Sequence, residues 1–276
     1  MSGSTLQILV VPFDVERRDT PMARGPHGLL QRGLADRLGD AGREVRLAES
    51  EVPEGLGKLE TVAEVGRWIA GAVAAAHEAG RFPLVLSGSC LASLGALTGM
   101  QRLGLDPAVV WIDAHGDFNT EETSVTGYWD GMALAGACGL ALGEPRERIG
   151  LRPLRAAAAV HLAGRAFDPP EAEAIRKRGL AVFPPEGISS AEPRLRAVGD
   201  RPLYLHVDLD GLDLADAPAV GFPVPGGPDL EAVLGIRSSL PPPTVLTIAA
   251  ASLDRAGEDE ARRTIATIVR LAEAFS

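Results

Sequence analysis

The sequence predicts a three-layer α/β/α fold around a mainly parallel sheet of about eight strands, and three observations carry that prediction. Short β-branched runs alternate with longer Ala/Leu-rich segments of helical period along the 276 residues, as a series of βαβ units does. Several runs are apolar almost throughout, the pattern of strands covered on both faces. No repeat, low-complexity tract or long linker interrupts the alternation, so 1–276 reads as one domain.

The elements follow in order. LQILVVPF (6–13) reads as the first strand. Residues 25–42 set Leu29, Leu30, Leu34 and Leu38 on one face before Gly42, which predicts a helix. EVRLAE (44–49) is a strand, and 59–80 a long helix ending in AHEAG. FPLVLSGS (82–89) and AVVWIDAH (108–115) are near-continuous apolar strands. Further strands are expected at 158–163, 180–183, 203–208 and 244–250, with a last helix over about 257–275. The Pro/Gly-rich runs 216–228 and 240–243 are short enough to be loops.

Composition removes several classes of function. With 46% hydrophobic and 23% charged residues the chain has ample material for a core, so disorder is excluded as the main state. A net charge of −10 suits no binder of the phosphate backbone, and 4% aromatics supply no stacking platform, so no nucleic-acid partner is expected. Cys90 and Cys138 are too few for a disulfide scaffold. No apolar run approaches the ~18 residues of a membrane span. MSGSTLQILVVPFDVERR lacks a basic leader and holds only a short apolar run, Ile8 to Val11, so the expected location is cytoplasmic.

The acidic residues are concentrated. Asp113-Ala-His115-Gly-Asp117 follows the apolar VVWI, and Asp208-Leu-Asp210-Gly-Leu-Asp213 follows LYLHV. In a parallel sheet both clusters lie at carboxyl ends of strands, where open α/β folds place their ligands. Alternation along extended chain lets Asp113, His115 and Asp117 converge, and Asp208 with Asp210. Four carboxylates and one imidazole would repel one another unless cations neutralise them. Oxygen donors with a nitrogen suit two divalent ions, and a pair ~3.5–4 Å apart can hold a bridging hydroxide. A lone D-x-D is more often a loop or capping acid; two, each after a buried strand and one with a histidine, reverse that.

DAHGDFNT (113–120) and DLDGLD (208–213) resemble the paired metal motifs of the ureohydrolases: arginases, agmatinases and formimidoylglutamases. Pro12-Phe13, Gly25-Pro26 and the segment Arg165 to Glu171 resemble other stretches of that family, and the first motif aligns with arginase without a gap through Gly131. The resemblance implies an arginase-like eight-stranded parallel sheet, two manganese ions at its edge, and a homo-oligomer, trimer or hexamer. It implies that Asp113, Asp117 and Asp208 are shared carboxylates and that His115 and Asp210 complete one metal. The family's other histidine falls on Cys90, in Ser87-Gly-Ser-Cys90. A thiolate there shifts preference from manganese toward zinc, iron or cobalt; the bland alternative is a small buried residue beside a weak site. Cys138 reads as packing.

On the substrate side the resemblance assigns Asn119 and Thr126 to a substrate carboxylate and Asp168 to an α-amino group, which implies a small amino-acid-like substrate. Tyr128 replaces an asparagine, and Asp130 stands where the family has a proton-shuttling histidine; Asp130 could relay a proton if burial raised its pKa, or be a solvated loop acid. The glutamate that grips a guanidinium is missing: LTIAAASLD (246–254) offers Ala249 to Ala251, with Asp254 as a neighbouring substitute. His27, His77, His161 and His206 read as structural and Trp111 as core. Trp129 is left between pocket and surface.

The function expected is hydrolysis, by a binuclear metal site, of a linear C–N bond in an amidine- or guanidine-like group on a small amino acid derivative. Asp117 or Asp130 would pass the proton to the leaving amine. Two alternatives stand beside it: a catalytically impaired paralogue with a structural or regulatory role, and a hydrolase of N-hydroxyguanidines.

Overall fold

The computed structural model describes residues 5–40, 42–53 and 55–276. Its elements run β1 (Leu6–Val11), α1 (Gly25–Gln31), α2 (Leu34–Asp40), β2 (Val45–Glu49), α3 (Lys58–Glu78), β3 (Phe82–Ser87), α4 (Ala92–Arg102), β4 (Ala108–Ile112) and α5 (Ala133–Ala137). There follow α6 (Gly143–Ile149), β5 (Ala159–Leu162), α7 (Pro169–Arg178), β6 (Ala181–Phe183), α8 (Glu192–Val198), β7 (Leu203–Asp208), α9 (Leu230–Gly235), β8 (Pro243–Ala249) and α10 (Glu258–Phe275).

The sheet has eight strands in the order β2-β1-β3-β8-β7-β4-β5-β6, and every neighbouring pair is parallel. All strand carboxyl ends therefore share one edge. The alternation of side chains fills two cores. Leu6, Ile8 and Val10 of β1 and Leu203, Leu205 and Val207 of β7 pack under α1, α2, α8, α9 and α10. Leu9, Val11, Val109, Trp111 and Tyr204 point the other way, into the layer of α3 to α7.

Two expectations about helices change. The helix expected over 25–42 is two helices, because Gly33 takes a left-handed φ of +83° that ends the first and turns into the second. Leu29, Leu34 and Leu38 remain buried on both sides of that break. Helix α4, after Cys90, is not among the expected helices, nor are α6 to α9; its residues Ala92 to Met100 are all buried, so it carries no exposed polar stripe to read. It lies against α3 so closely that a Cβ at Gly95 would stand 2.7 Å from the carbonyl oxygen of Gly66. Among the described residues no helix is long and apolar enough to cross a membrane.

Candidate metal centre

The ends of three strands build one site. Asp113 directly follows β4; its Oδ1 accepts from the His115 amide at 2.7 Å and its Oδ2 from Trp111 Nε1 at 3.0 Å. Asp208 ends β7, where its Oδ1 accepts from the Asp210 amide at 2.9 Å and its Oδ2 from the thiol of Cys90 at 3.2 Å. Cys90 sits three residues beyond the end of β3. His115 Nδ1 is 3.2 Å from Asp210 Oδ2 and 3.6 Å from Asp113 Oδ1. Asp117 is only 5% exposed, and its backbone adopts a left-handed φ of +48°. Its Oδ2 is buried without a partner. All six residues line a single cleft of about 380 Å³.

The convergence has a different local cause from simple strand alternation. β4 ends at Ile112, so Asp113, His115 and Asp117 lie in the following loop, folded together by the bond from the His115 amide to Asp113. Asp210 lies in a 3₁₀ turn over Leu209–Gly211, whose first turn the Asp208 carboxylate caps. The strands aim the clusters and the turns close them.

The electrostatics are those of crowded carboxylates. Burial, then the charges of Asp113 and other neighbouring acids, pushes Asp117 well above the usual carboxylate range. Burial and then Asp210 do the same to Asp208. Burial and Asp113 lift Asp210 to about 6, with His115 opposing. Burial disfavours a charged His115, but its bonds to Asp113 and Asp210 outweigh that and raise its pKa to about 11. Burial, with the surrounding acids, also raises the Cys90 thiol. One imidazole cannot neutralise this cluster, whereas cations can.

Two donor sets suit an ion. Ligand atoms of Asp113, His115 and Asp210 lie within 4.8 Å of one another, and so do those of Cys90, Asp113 and His206. Asp113 belongs to both, as a carboxylate shared between two cations would. The orphaned Oδ2 of Asp117 beside them is a further free donor. The residues present fit a pair of divalent cations.

The description "Arginase family" matches residues 4–272 of the chain. The chain belongs to the arginase family. It is 34% identical to an arginase of Bacillus caldovelox over 80% of this chain and 81% of that protein. It is 37% identical to an N(omega)-hydroxy-L-arginine amidinohydrolase of Streptomyces lavendulae, over 67% of this chain and 66% of the other. The crystal structure of an arginase from Bacillus subtilis superposes with a TM-score of 0.86 at 28% identity, covering 99% of this chain and 98% of that one. The chain is a hydrolase acting on amidino C–N bonds.

Other arginase-like positions sort themselves around the cleft. Asn119 is buried, donates from Nδ2 to Asp168 Oδ2 at 3.1 Å, and accepts from Thr123 Oγ1 at 2.9 Å. Asp168 also caps α7, and Glu171 returns a bond to the Asp168 amide at 3.2 Å and accepts from the Phe118 amide at 2.9 Å. Thr126 lies on the exposed rim and accepts from the Tyr128 amide at 3.2 Å. Asp130 is buried, not a solvated loop acid: Ser89 Oγ donates to it, as does the Leu91 amide at 3.3 Å, and burial lifts its pKa to about 7. Tyr128 lines the cleft with its hydroxyl donating to Asp14.

At the position of the missing glutamate, Ala250 lines the cleft. Asp254 does not replace it, because it pairs with Arg24 and is not among the cleft-lining residues. Trp129 is likewise outside that lining, with Lys58 Nζ over its ring at 4.2 Å. Cys138 packs in the core, where burial raises its thiol to about 12. His27 pairs with Glu49 at 3.0 Å, and His161 Nε2 bonds the His115 carbonyl at 2.7 Å.

Two contributors escaped the sequence reading. Trp111 is core, but its indole also orients Asp113. His206 was assigned to structure alone, yet it lies within the donor set of Cys90 and Asp113. The signal was present: 206 and 208 share a strand face, so the residue two before a metal-motif aspartate points the same way.

Proposed function

We propose that this arginase-family chain uses two divalent cations to hydrolyse a guanidine-like group on a small amino acid derivative, and that the preferred group is an N-hydroxyguanidine. The observation that carries the reading is the gathering of Cys90, Asp113, His115, Asp117, Asp208 and Asp210 around one cleft, with Ala250 in its lining at the position the resemblance gives to the guanidinium-binding glutamate. We assign all six as metal ligands. Bound there, the cations would supply Lewis-acid charge and make water a nucleophile near neutral pH. Cys90 favours zinc, cobalt or iron at one of the two positions, while the oxygen-rich set of His115 and Asp210 suits manganese.

The chain's own groups perform the remaining steps. Asn119, Asp168 and Thr126 hold the amino-acid head group at the cleft mouth. Tyr128 and the half-exposed Phe222, edge to face at 6.2 Å, narrow the cleft and limit water. As water adds to the amidino carbon and the C–N bond breaks, a proton must reach the departing amine. Asp130, held by Ser89 and tuned by burial to about 7, moves it at its carboxylate, with Asp117 as the nearer acceptor among the ligands. The products are the free amine and a urea.

A neutral or weakly basic N-hydroxyguanidine fits this wall better than arginine. A buried guanidinium without a carboxylate loses several kcal/mol, and each 1.36 kcal/mol is tenfold in rate, so arginine should be roughly a hundredfold or more slower. The likeness to the Streptomyces lavendulae amidinohydrolase supports the same choice. The test is urea-type product release from arginine beside its N-hydroxy derivative, with manganese and cobalt tried separately. Arginine turnover in the ordinary kcat range of ~1–10³ s⁻¹ contradicts the substrate assignment. We further read the chain as one domain, located in the cytoplasm, with a small-molecule substrate and a homo-oligomeric state of three or six copies.

A further inference from the structure

We propose that His206 is a metal ligand, its Nε2 completing with Cys90 Sγ and Asp113 the donor set of one cation. This rests on the two-cation reading above and goes beyond it, since it moves an imidazole from the loop after β3 to the strand β7. Cys90 and Asp113 offer that cation no nitrogen, and His206 supplies one from β7.

The ring is prepared for the role. His206 is fully buried in β7, on the same face as Asp208 two residues on. Its Nδ1 lies 3.2 Å from the hydroxyl of Tyr204, and that hydroxyl donates onward to Thr247 Oγ1 at 2.9 Å. With its proton committed to Thr247, the Tyr204 oxygen accepts from His206, which fixes the proton on Nδ1 and leaves the lone pair on Nε2. Nε2 is buried and has no partner. An unmet buried acceptor is costly, and something must satisfy it.

What lies in reach is the metal cluster. A His206 ring nitrogen, Cys90 Sγ and an Asp113 oxygen are mutually within 4.8 Å, a spread that one ion with ~2.0–2.3 Å bonds spans after small side-chain adjustments. The ring is stacked on Trp111 at 3.7 Å with a 16° tilt, and the same Trp111 donates to Asp113. Tyr204, Thr247 and Trp111 thus hold the imidazole and the shared carboxylate in one orientation, as the supports around metal ligands do. His161, the other histidine buried in the sheet, is in neither donor set. A sulfur and a nitrogen beside one carboxylate select a zinc- or cobalt-like ion over manganese, so the two positions should differ in metal preference.

Cobalt(II) alone is the probe, added to the chelator-stripped full-length chain. Wild type should take up two cobalt ions, with a thiolate-to-cobalt charge-transfer band, and X-ray absorption at the cobalt edge should count two imidazoles over the two ions. His206→Phe keeps the stack on Trp111 and His206→Gln keeps a polar group. Both should keep the wild-type fold by circular dichroism and bind one cobalt normally. Both should lose affinity for the other by at least 10–100-fold, with the charge-transfer band shifted. If His206→Phe binds two ions as wild type does while Cys90→Ser loses the band, His206 is packing and the two-cation reading stands. One imidazole in the wild-type absorption spectrum overturns the proposal independently of any variant. Failure of the wild-type chain to bind cobalt at all overturns both readings together.

Discussion

Stripping the cations should make the fold lose stability as pH rises from about 5 to 7, and Asp117→Asn should reduce that loss. The reason lies in the buried acids. Asp117 and Asp208 are pushed well above the usual carboxylate range by burial and then by their neighbours, Asp210 to about 6 and Asp130 to about 7. Each keeps, in the folded state, a proton that the unfolded chain has released above its ordinary pKa of ~4. The stability this represents is complete below pH ~4 and is lost as pH rises toward the folded pKa, by ~1.4 kcal/mol per unit per group.

The opposing groups do not rescue the window. His115, raised to about 11, contributes stability that is present below ~6.5 and declines above it. Asp113, lowered by its bond to His115 despite burial, contributes stability that changes only below pH ~4. His206, lowered by burial to about 3, and His161, also lowered by burial, act the other way and gain stability as pH rises to ~6.5. These two are outnumbered by the four raised acids, so the net change between pH 5 and 7 is a loss. One group raised to about 7, as Asp130 is, amounts to roughly 2–3 kcal/mol over the two units, or roughly 5–10 °C in Tm for a chain of this size. Thermal melts followed by circular dichroism in chelator, against metal-reconstituted protein, measure it. The stripped wild type should melt lower at pH 7 than at pH 5, and the reconstituted protein should not. Asp117→Asn should raise the Tm of the stripped chain at pH 7 but lower that of the reconstituted one, because the same carboxylate is a liability alone and a ligand with metal. A stripped chain that gains stability from pH 5 to 7, or a variant with the same effect in both states, would refute the reasoning.

Cys90→Ser should lower the metal content by one of the two ions, and Cys90→His should shift preference toward manganese, both read by elemental analysis after dialysis against mixed metals; unchanged content removes Cys90 from the ligand set. Asp130→Asn should lower kcat by 10²–10⁴ with metal content unchanged, and should abolish a limb of the rate profile that falls as pH rises through about 7. Asp168→Ala should raise KM and also destabilise α7 by ~1 kcal/mol through its lost cap, whereas Asp168→Ser should raise KM alone.

Much of this molecule was legible in the chain because its causes are local. Apolar runs of strand length, separated by helical segments, pointed to a mainly parallel α/β sheet, and the two acidic motifs directly after VVWI and LYLHV had to stand at its carboxyl edge. Cys90 in place of histidine and Ala249 to Ala251 in place of an acid were equally visible, since each is read by position alone. Helix boundaries were less so. Gly33 divides a segment whose leucines all keep their stripe, and α4 is buried on every side and so shows none.

Only the tertiary structure decided what depends on residues far apart in sequence. Asp130 is an acid with a raised pKa because Ser89 and the Leu91 amide close over it from the loop after β3. Asp254 is no substitute for the missing glutamate because Arg24, 230 positions away, already holds it. His206 passed for a core residue until the order of the strands set β7 beside β4 and brought Cys90 to the same edge from β3. Sequence spacing fixes which face of a strand a side chain takes, but strand order and burial fix which charges it meets there, and those charges determine its chemistry.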